Sequence, residues 1–123
     1  MSNKNLLVVD DSATTRMLIS LTLKKEGTYT ITEVTNGKEA VDKLGDESVD
    51  CVLTDINMPH MNGLELITYI RAKHSERTVP IIVITTRGEE ESRDEGLAKG
   101  ANAYLTKPIS GPELVSIVRE LLA

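Results

Sequence analysis

The sequence predicts one α/β domain, a doubly wound sheet of five parallel strands wrapped by five helices. Three observations carry this reading: five short apolar runs recur along 123 residues, a segment of helical periodicity follows each, and glycines or capping residues mark most junctions. A chain of this length hides roughly two-thirds of the surface its unfolded form exposes, so no disulfide or metal staple is needed to fold it.

The first run, Leu6–Val9, is continuously apolar. The helix after it starts near Asp11 or Ser12, either of which can cap it, with Ala13, Met17, Leu18 and Leu21 on one face and Gly27 as the stop. The second run, Tyr29–Val34, alternates polar and apolar residues; its helix extends from a cap at Asn36 to Gly45 and turns Ala40, Val41 and Leu44 inward. The third, Cys51–Leu53, is again continuous, and beyond Gly63 a helix places Leu66, Ile67 and Ile70 together. Ile81–Ile84 forms the fourth. The segment from Arg87 to Lys99 that follows is the least anchored of the helices, with Leu97 and Ala98 as its obvious core contacts and Gly88 and Gly96 weakening it, so it is expected to lie at the mobile end of the structure. After the short fifth run, Ala103–Leu105, the last helix opens at Ser110 or Gly111, with Pro112 early and Leu114, Ile117, Val118 and Leu121 as its buried stripe.

Strands covered on both faces read as continuous apolar runs, whereas edge strands alternate or shrink. The second and fifth runs therefore belong at the edges, and right-handed crossovers give the order 2-1-3-4-5, a flavodoxin-like arrangement. In such a sheet the winding reverses between strands one and three, and ligands bind beyond their carboxyl ends.

Composition narrows the function. A formal charge of −5 without a basic stripe argues against direct nucleic-acid binding, and three tyrosines with neither Trp nor Phe give no stacking platform. The single cysteine, Cys51, sits in an apolar run and reads as a core residue of a reducing compartment, so a cytoplasmic location is expected. The apolar runs are far too short to insert in a membrane. No linker, repeat or low-complexity stretch breaks residues 1–123, which are read as a single unit.

Asp10 and Asp11 end the first strand and Asp55 ends the third, so three carboxylates converge on the predicted crevice. Acids so crowded raise one another's proton affinity unless a hard cation relieves them; Mg²⁺, which keeps several waters beside a few carboxylates, is the natural occupant. Singly, each of these acids could be a helix cap or turn residue. Thr85-Thr86 ends strand four and Thr106-Lys107-Pro108 ends strand five, bringing a hydroxyl and an ammonium to the same edge. Both complement a phosphoryl group: Lys107 neutralises oxygen charge, Thr85 donates a hydrogen bond, and Asp55 attacks phosphorus.

Asp10-Asp11 after an apolar strand, Asp55-Ile-Asn-Met-Pro-His-Met-Asn-Gly63, Thr85 at the end of strand four and Lys107-Pro108 after strand five together resemble the receiver domain of two-component response regulators. The resemblance covers essentially the whole chain. It implies transfer of a phosphoryl group from a sensor histidine kinase to Asp55, with Asp11 and Asp55 ligating Mg²⁺ directly, Asp10 acting through water and the Asn57 main-chain carbonyl completing the set. It further implies that Lys107 pairs with the phosphoryl group, that the Lys107–Pro108 bond is cis, and that Thr85 moves toward the phosphoryl group while Tyr104 turns inward. Partner binding would then change on the surface of the fourth helix, fifth strand and fifth helix. The implied protein is a phospho-acceptor and not an enzyme with a separate substrate; it is a monomer when unphosphorylated, and the chemotaxis type comes first. A relay intermediate, a phosphate sink and a receiver excised from a larger hybrid protein remain as alternatives.

Two further expectations concern the mouth of the site. Arg87, two residues beyond Thr85, and Asn57, two beyond Asp55, are placed to influence the water that hydrolyses an acyl phosphate. The acidic cluster Glu89, Glu90, Glu91, Asp94 and Glu95 reads as a solvated face or a docking face. His60 and His74 lack partners at metal spacing and read as surface residues. A small doubly wound enzyme, such as a flavodoxin or a phosphatase, is the rival class. It is disfavoured because Asp-Asp-Ser-Ala-Thr-Thr, and not a glycine-rich cradle, follows strand one.

Overall fold

A computed structural model describes residues 3–58, 61–73, 79–86 and 88–122. Strands β1 (Lys4–Val9), β2 (Tyr29–Val34), β3 (Cys51–Asp55), β4 (Ile81–Thr86) and β5 (Ala103–Lys107) alternate with helices α1 (Ala13–Lys24), α2 (Gly37–Asp46), α3 (Gly63–Lys73), α4 (Glu90–Lys99) and α5 (Gly111–Leu122). All pairings are parallel and the order is β2-β1-β3-β4-β5, as the apolar patterns predict. Every residue of β3 is buried, while β2 and β5 are only partly so. Among the described residues, no helix is long and apolar enough to cross a membrane.

Because successive strand residues point to opposite faces, the sheet supports two cores. Leu7, Val9, Val52 and Val83 face one, closed by Ala40 and Leu44 of α2 and Leu66, Ile67 and Ile70 of α3. Leu6, Val8, Leu53, Ile82, Ile84 and Leu105 face the other, closed by Ile19 and Leu23 of α1 and Leu114 and Val118 of α5. Ile117 and Leu121 pack half-buried against this second core, and Val41 against the first.

Helix starts follow side-chain chemistry. Ser12 caps α1, its hydroxyl accepting from Thr15 N at 3.3 Å. Asn36 caps α2 by accepting from Glu39 N at 2.9 Å. Before α3 the bonds are reciprocal: Asn62 Oδ1 accepts from Glu65 N at 2.9 Å and Glu65 Oε1 from Asn62 N at 3.1 Å, a capping box. These caps fix where α1, α2 and α3 leave the carboxyl edge of the sheet.

The inner face of α1 differs from the expected one. Ala13, Met17, Leu18 and Leu21 all point outward, Met17 60% and Leu21 56% exposed, while Ile19, Ser20 and Leu23 are buried. Apolar residues surround this helix, so polar partners decide its rotation. Arg16 Nη1 donates to the Asp10 carbonyl at 2.7 Å, Arg16 Nε lies 3.4 Å from Glu33 Oε1 of β2, and buried Ser20 Oγ donates to Glu33 Oε2 at 2.9 Å. Turning the helix to bury Met17 and Leu21 would break all three contacts.

The contact of α4 with the sheet also departs from expectation. Ala98 is exposed and Leu97 half-buried, whereas Gly96 is the buried residue. A Cβ at position 96 would lie 3.1 Å from Val83 Cγ2, so the missing side chain lets α4 approach β4 closely.

Candidate functional site

The parallel register carries the chemistry to one edge. Val9, the residue before Asp10, pairs with Thr54, the residue before Asp55; Asp55 pairs with Ile84, the residue before Thr85; and Thr86 pairs with Lys107. Asp10 is fully buried, Asp55 is 7% exposed and Thr85 is buried, while Asp11 is open to solvent.

Backbone amides orient both buried carboxylates. Ser12 N donates to Asp10 Oδ1 at 2.8 Å, and Ile56 N donates to Asp55 Oδ1 at 2.8 Å. The second oxygen of each acid turns toward Lys107, whose Nζ lies 3.2 Å from Asp10 Oδ2 and 3.5 Å from Asp55 Oδ2. The Lys107–Pro108 peptide is cis.

One carboxylate oxygen from each of Asp10, Asp11 and Asp55 can be chosen so that all lie within 4.8 Å of one another. Asp10 Oδ2 is buried and, the Lys107 ammonium apart, finds no hydrogen-bond partner among the described residues. Three carboxylates thus face one ammonium, leaving an excess of negative charge that a divalent, oxygen-preferring cation would balance.

Burial, reinforced by the Asp10 charge, pushes the Asp55 carboxyl up from its usual 3.8 to about 6, against the opposing pull of Lys107. Burial works against the charged form of Lys107, yet Asp55 and Asp10 outweigh it and hold the ammonium above its ordinary range. Stability should respond to this. A carboxyl that binds its proton more tightly when folded favours the native state below its unfolded pKa, and that contribution disappears as pH rises through the folded value. Without a divalent ion, the wild-type protein should therefore lose stability relative to Asp55→Asn as pH rises from about 4 to about 6, a window set by burial and the Asp10 charge. Urea midpoints for the two proteins across that range measure the difference.

Asn57 is exposed, and its side-chain amide donates to Glu89 Oε2. The same carboxylate accepts from Thr86 N at 2.8 Å through Oε1, which also receives the Thr86 hydroxyl. Tyr104 on β5 is 40% exposed, and the Arg93 guanidinium of α4 sits over its ring, 4.8 Å from the centroid. Arg87, His60 and His74 lie outside the described residues.

Sequence reasoning brought Asp10, Asp11, Asp55, Thr85 and Lys107 to one edge, and the structure assembles them there. It passed over Arg16 and Arg93, and read Glu89 only as one of five acids on a solvated or docking face. Glu89 carried a readable signal: Thr86-Arg-Gly-Glu89 has the Thr-x-x-Glu spacing of a capping box.

A sequence model described as the response regulator receiver domain matches residues 6–119. The chain belongs to this family. Among solved structures, the receiver is similar to the chemotaxis response regulator CheY4 of Vibrio cholerae, at 31% identity with 98% of this chain and 100% of that chain covered and a TM-score of 0.88. It is also similar to the receiver domain of the Francisella response regulator 1452, at 30% identity, 98% and 97% coverage and a TM-score of 0.86. Among curated proteins it is 38% identical over 122 residues to the transcriptional regulatory protein SrrA of Staphylococcus aureus. That match takes in 99% of this receiver, which spans about half the length of the curated relatives it matches.

Proposed function

We propose that this receiver is a phospho-acceptor switch in which Asp55 takes a phosphoryl group from the phosphohistidine of a sensor kinase. The observation that carries this reading is the Asp55 carboxylate, held by the Ile56 amide with its free oxygen 3.5 Å from the Lys107 ammonium. An Asp55 oxygen attacks phosphorus, the bond to the histidine nitrogen breaks with its electron pair returning to the ring, and an acyl phosphate forms. The Ile56 N–H fixes the rotation of the nucleophile. Lys107 neutralises charge on the transferred oxygens, and the Thr85 hydroxyl, one residue from the strand position paired with Asp55, donates to one of them.

Asp11 and Asp55, with Asp10 through water and the Asn57 carbonyl, would hold Mg²⁺. The bound ion supplies charge neutralisation and orientation to the phosphoryl oxygens. Asn57 and Arg87 would set how long the acyl phosphate survives.

The modified receiver alters partner binding on the face of α4, β5 and α5, Thr85 drawing toward the phosphoryl group as Tyr104 turns inward. If Tyr104→Ala retains the full phosphorylation dependence of partner binding, measured by titration with and without beryllofluoride, that coupling is wrong. Its chemistry is limited to promoting its own phosphorylation and dephosphorylation.

We favour a chemotaxis-type relay acting by protein contact, a reading supported by full-length similarity to CheY4 and by the charge of −5, which suits a protein target better than DNA. A monomeric unphosphorylated protein residing in the cytoplasm completes it. The SrrA match supports a second reading, the receiver of a longer transcriptional regulator, since residues 1–123 correspond to about half of that protein. Incubation with acetyl phosphate tests what both share: Mg²⁺ should support the gain of one acid-stable, base-labile phosphoryl group. A pull-down with and without beryllofluoride then separates the two readings by the class of target captured.

A further inference from the structure

We propose that Glu89 is a positioning residue for the phospho-acceptor site, a latch that ties the start of α4 to the loop after Asp55 in the resting protein and opens when the site is phosphorylated. This inference rests on the phospho-acceptor reading of Asp55.

The carboxylate of Glu89 uses both oxygens. Oε1 accepts from the amide and hydroxyl of Thr86, and Oε2 accepts from the side-chain amide of Asn57. These partners stand on either side of the reacting group: Asn57 is two residues past Asp55, and Thr86 follows Thr85 and pairs with Lys107 in the sheet. Two other glutamates at helix starts, Glu39 in α2 and Glu65 in α3, close only on residues beside their own helix, Thr35 and Asn62. Of these three glutamates, Glu89 is the one that reaches a second loop.

The fastening matters at the start of α4, since the far end is held separately by Arg71 of α3, which donates to the Gly100 carbonyl at 3.1 and 2.8 Å. Gly96 is its buried residue, and no side-chain cap bond from Glu89 enters the helix. The Arg93 guanidinium over Tyr104 joins the middle of α4 to β5, so the two contacts together hold the helix against the edge that carries the site. Glu90, Glu91, Asp94 and Glu95 share the negative sign of Glu89, but of these Asp94 pairs only with its neighbour Arg93, at 3.1 Å, among the described residues.

Phosphorylation acts on every part of the latch. An acyl phosphate brings more negative charge to the mouth of the site, where it repels the Glu89 carboxylate. Its oxygens compete for donors of the Thr85–Thr86 segment and draw on Lys107, the strand partner of Thr86. Each effect loosens Glu89 from Thr86 and Asn57, and the first turn of α4 is released with it.

Amide hydrogen exchange of residues 88–93 tests the proposal in four proteins: wild type, Glu89→Ala, Asn57→Ala and the double variant, with Glu95→Ala as a control of equal charge. In the resting state, Glu89→Ala should raise exchange of this segment to the level that beryllofluoride produces in the wild type. Asn57→Ala should do the same although it lies outside α4, and the double variant should add nothing. With the latch open, acetyl phosphate should modify Glu89→Ala about five-fold faster than wild type, the low end of ordinary coupling between sites.

Unchanged exchange in Glu89→Ala, an equal rise in Glu95→Ala, or wild-type exchange in Asn57→Ala would each overturn the latch. Failure of wild-type protein to accept a phosphoryl group would instead overturn the phospho-acceptor reading and, with it, the opening step. The resting-state comparison of variants still reports on the contact itself.

Discussion

Lys107→Ala should slow phosphorylation of Asp55 by acetyl phosphate by about 10²–10³-fold, the scale on which a single preorganised group that stabilises transition-state charge acts. Its Nζ lies within 3.5 Å of both buried carboxylates, and no other cationic group is recorded against either of them among the described residues. The same change should cost stability, because Asp10 Oδ2 is fully buried and would lose the cation that faces it among the described residues. Removing one partner of a buried pair costs about 3–5 kcal/mol, and the partial exposure of Lys107 places this case toward the lower figure. A divalent ion offers the acids a substitute cation, so Mg²⁺ should restore much of the thermal stability of Lys107→Ala without restoring its rate. Melting curves and single-turnover phosphorylation, each with and without Mg²⁺, separate the two contributions. A variant that melts like wild type in EDTA would show that Lys107 does not compensate Asp10.

Gly63→Ala should be the most damaging single-methyl change near the site. A Cβ at position 63 would stand 2.3 Å from the Asp55 carbonyl oxygen and 2.8 Å from Ile56 Cα, and both obstacles are main chain. Gly63 N also donates to the Ile56 carbonyl at 2.8 Å, so the start of α3 is pressed against the strand end that carries the nucleophile. Relief requires moving the helix or the strand. Overpacking of this kind costs about 3 kcal/mol, and a shift of about 1 Å at Asp55 would slow phosphoryl transfer by about 10²-fold. Gly45→Ala in α2 is the control, since its Cβ meets nothing within 4 Å. That change should stabilise the helix by about 0.5–1 kcal/mol. Denaturant midpoints that moved alike for both variants would remove the steric argument.

How far the fold could be read from residues depended on whether a pattern had one physical cause. Continuous apolar runs arise from burial on both faces, so β1, β3 and β4 were legible as central strands and β2 and β5 as edges. Strand order then placed Asp10, Asp11, Asp55, Thr85 and Lys107 together, because in a parallel sheet all carboxyl ends share one edge.

The faces of α1 and α4 were harder to read than those of α2, α3 and α5, which turn inward the residues expected of them. Apolar side chains surround α1, and the choice of Ile19 and Leu23 over Met17 and Leu21 was made by Arg16 and Ser20 finding Glu33 on a strand distant in sequence. In α4 the contact with the sheet depends on a side chain that is missing, Gly96, where composition suggested only a weak helix. Glu89 was hidden for another reason. Among five nearby acids its spacing from Thr86 was distinctive, but the bond to Asn57 joins two loops whose separation no local pattern records. Site residues on strand ends were therefore legible, and the contacts that fasten helices to them were not.

Phosphoryl incorporation, localised by mass spectrometry after incubation with acetyl phosphate, tests the central claim most directly. The account predicts a single phosphoryl group on Asp55 that requires Mg²⁺, is lost when EDTA is present and is absent from Asp55→Asn. A wild-type protein that stays unmodified in Mg²⁺, or one that carries the label on any other residue, would contradict it.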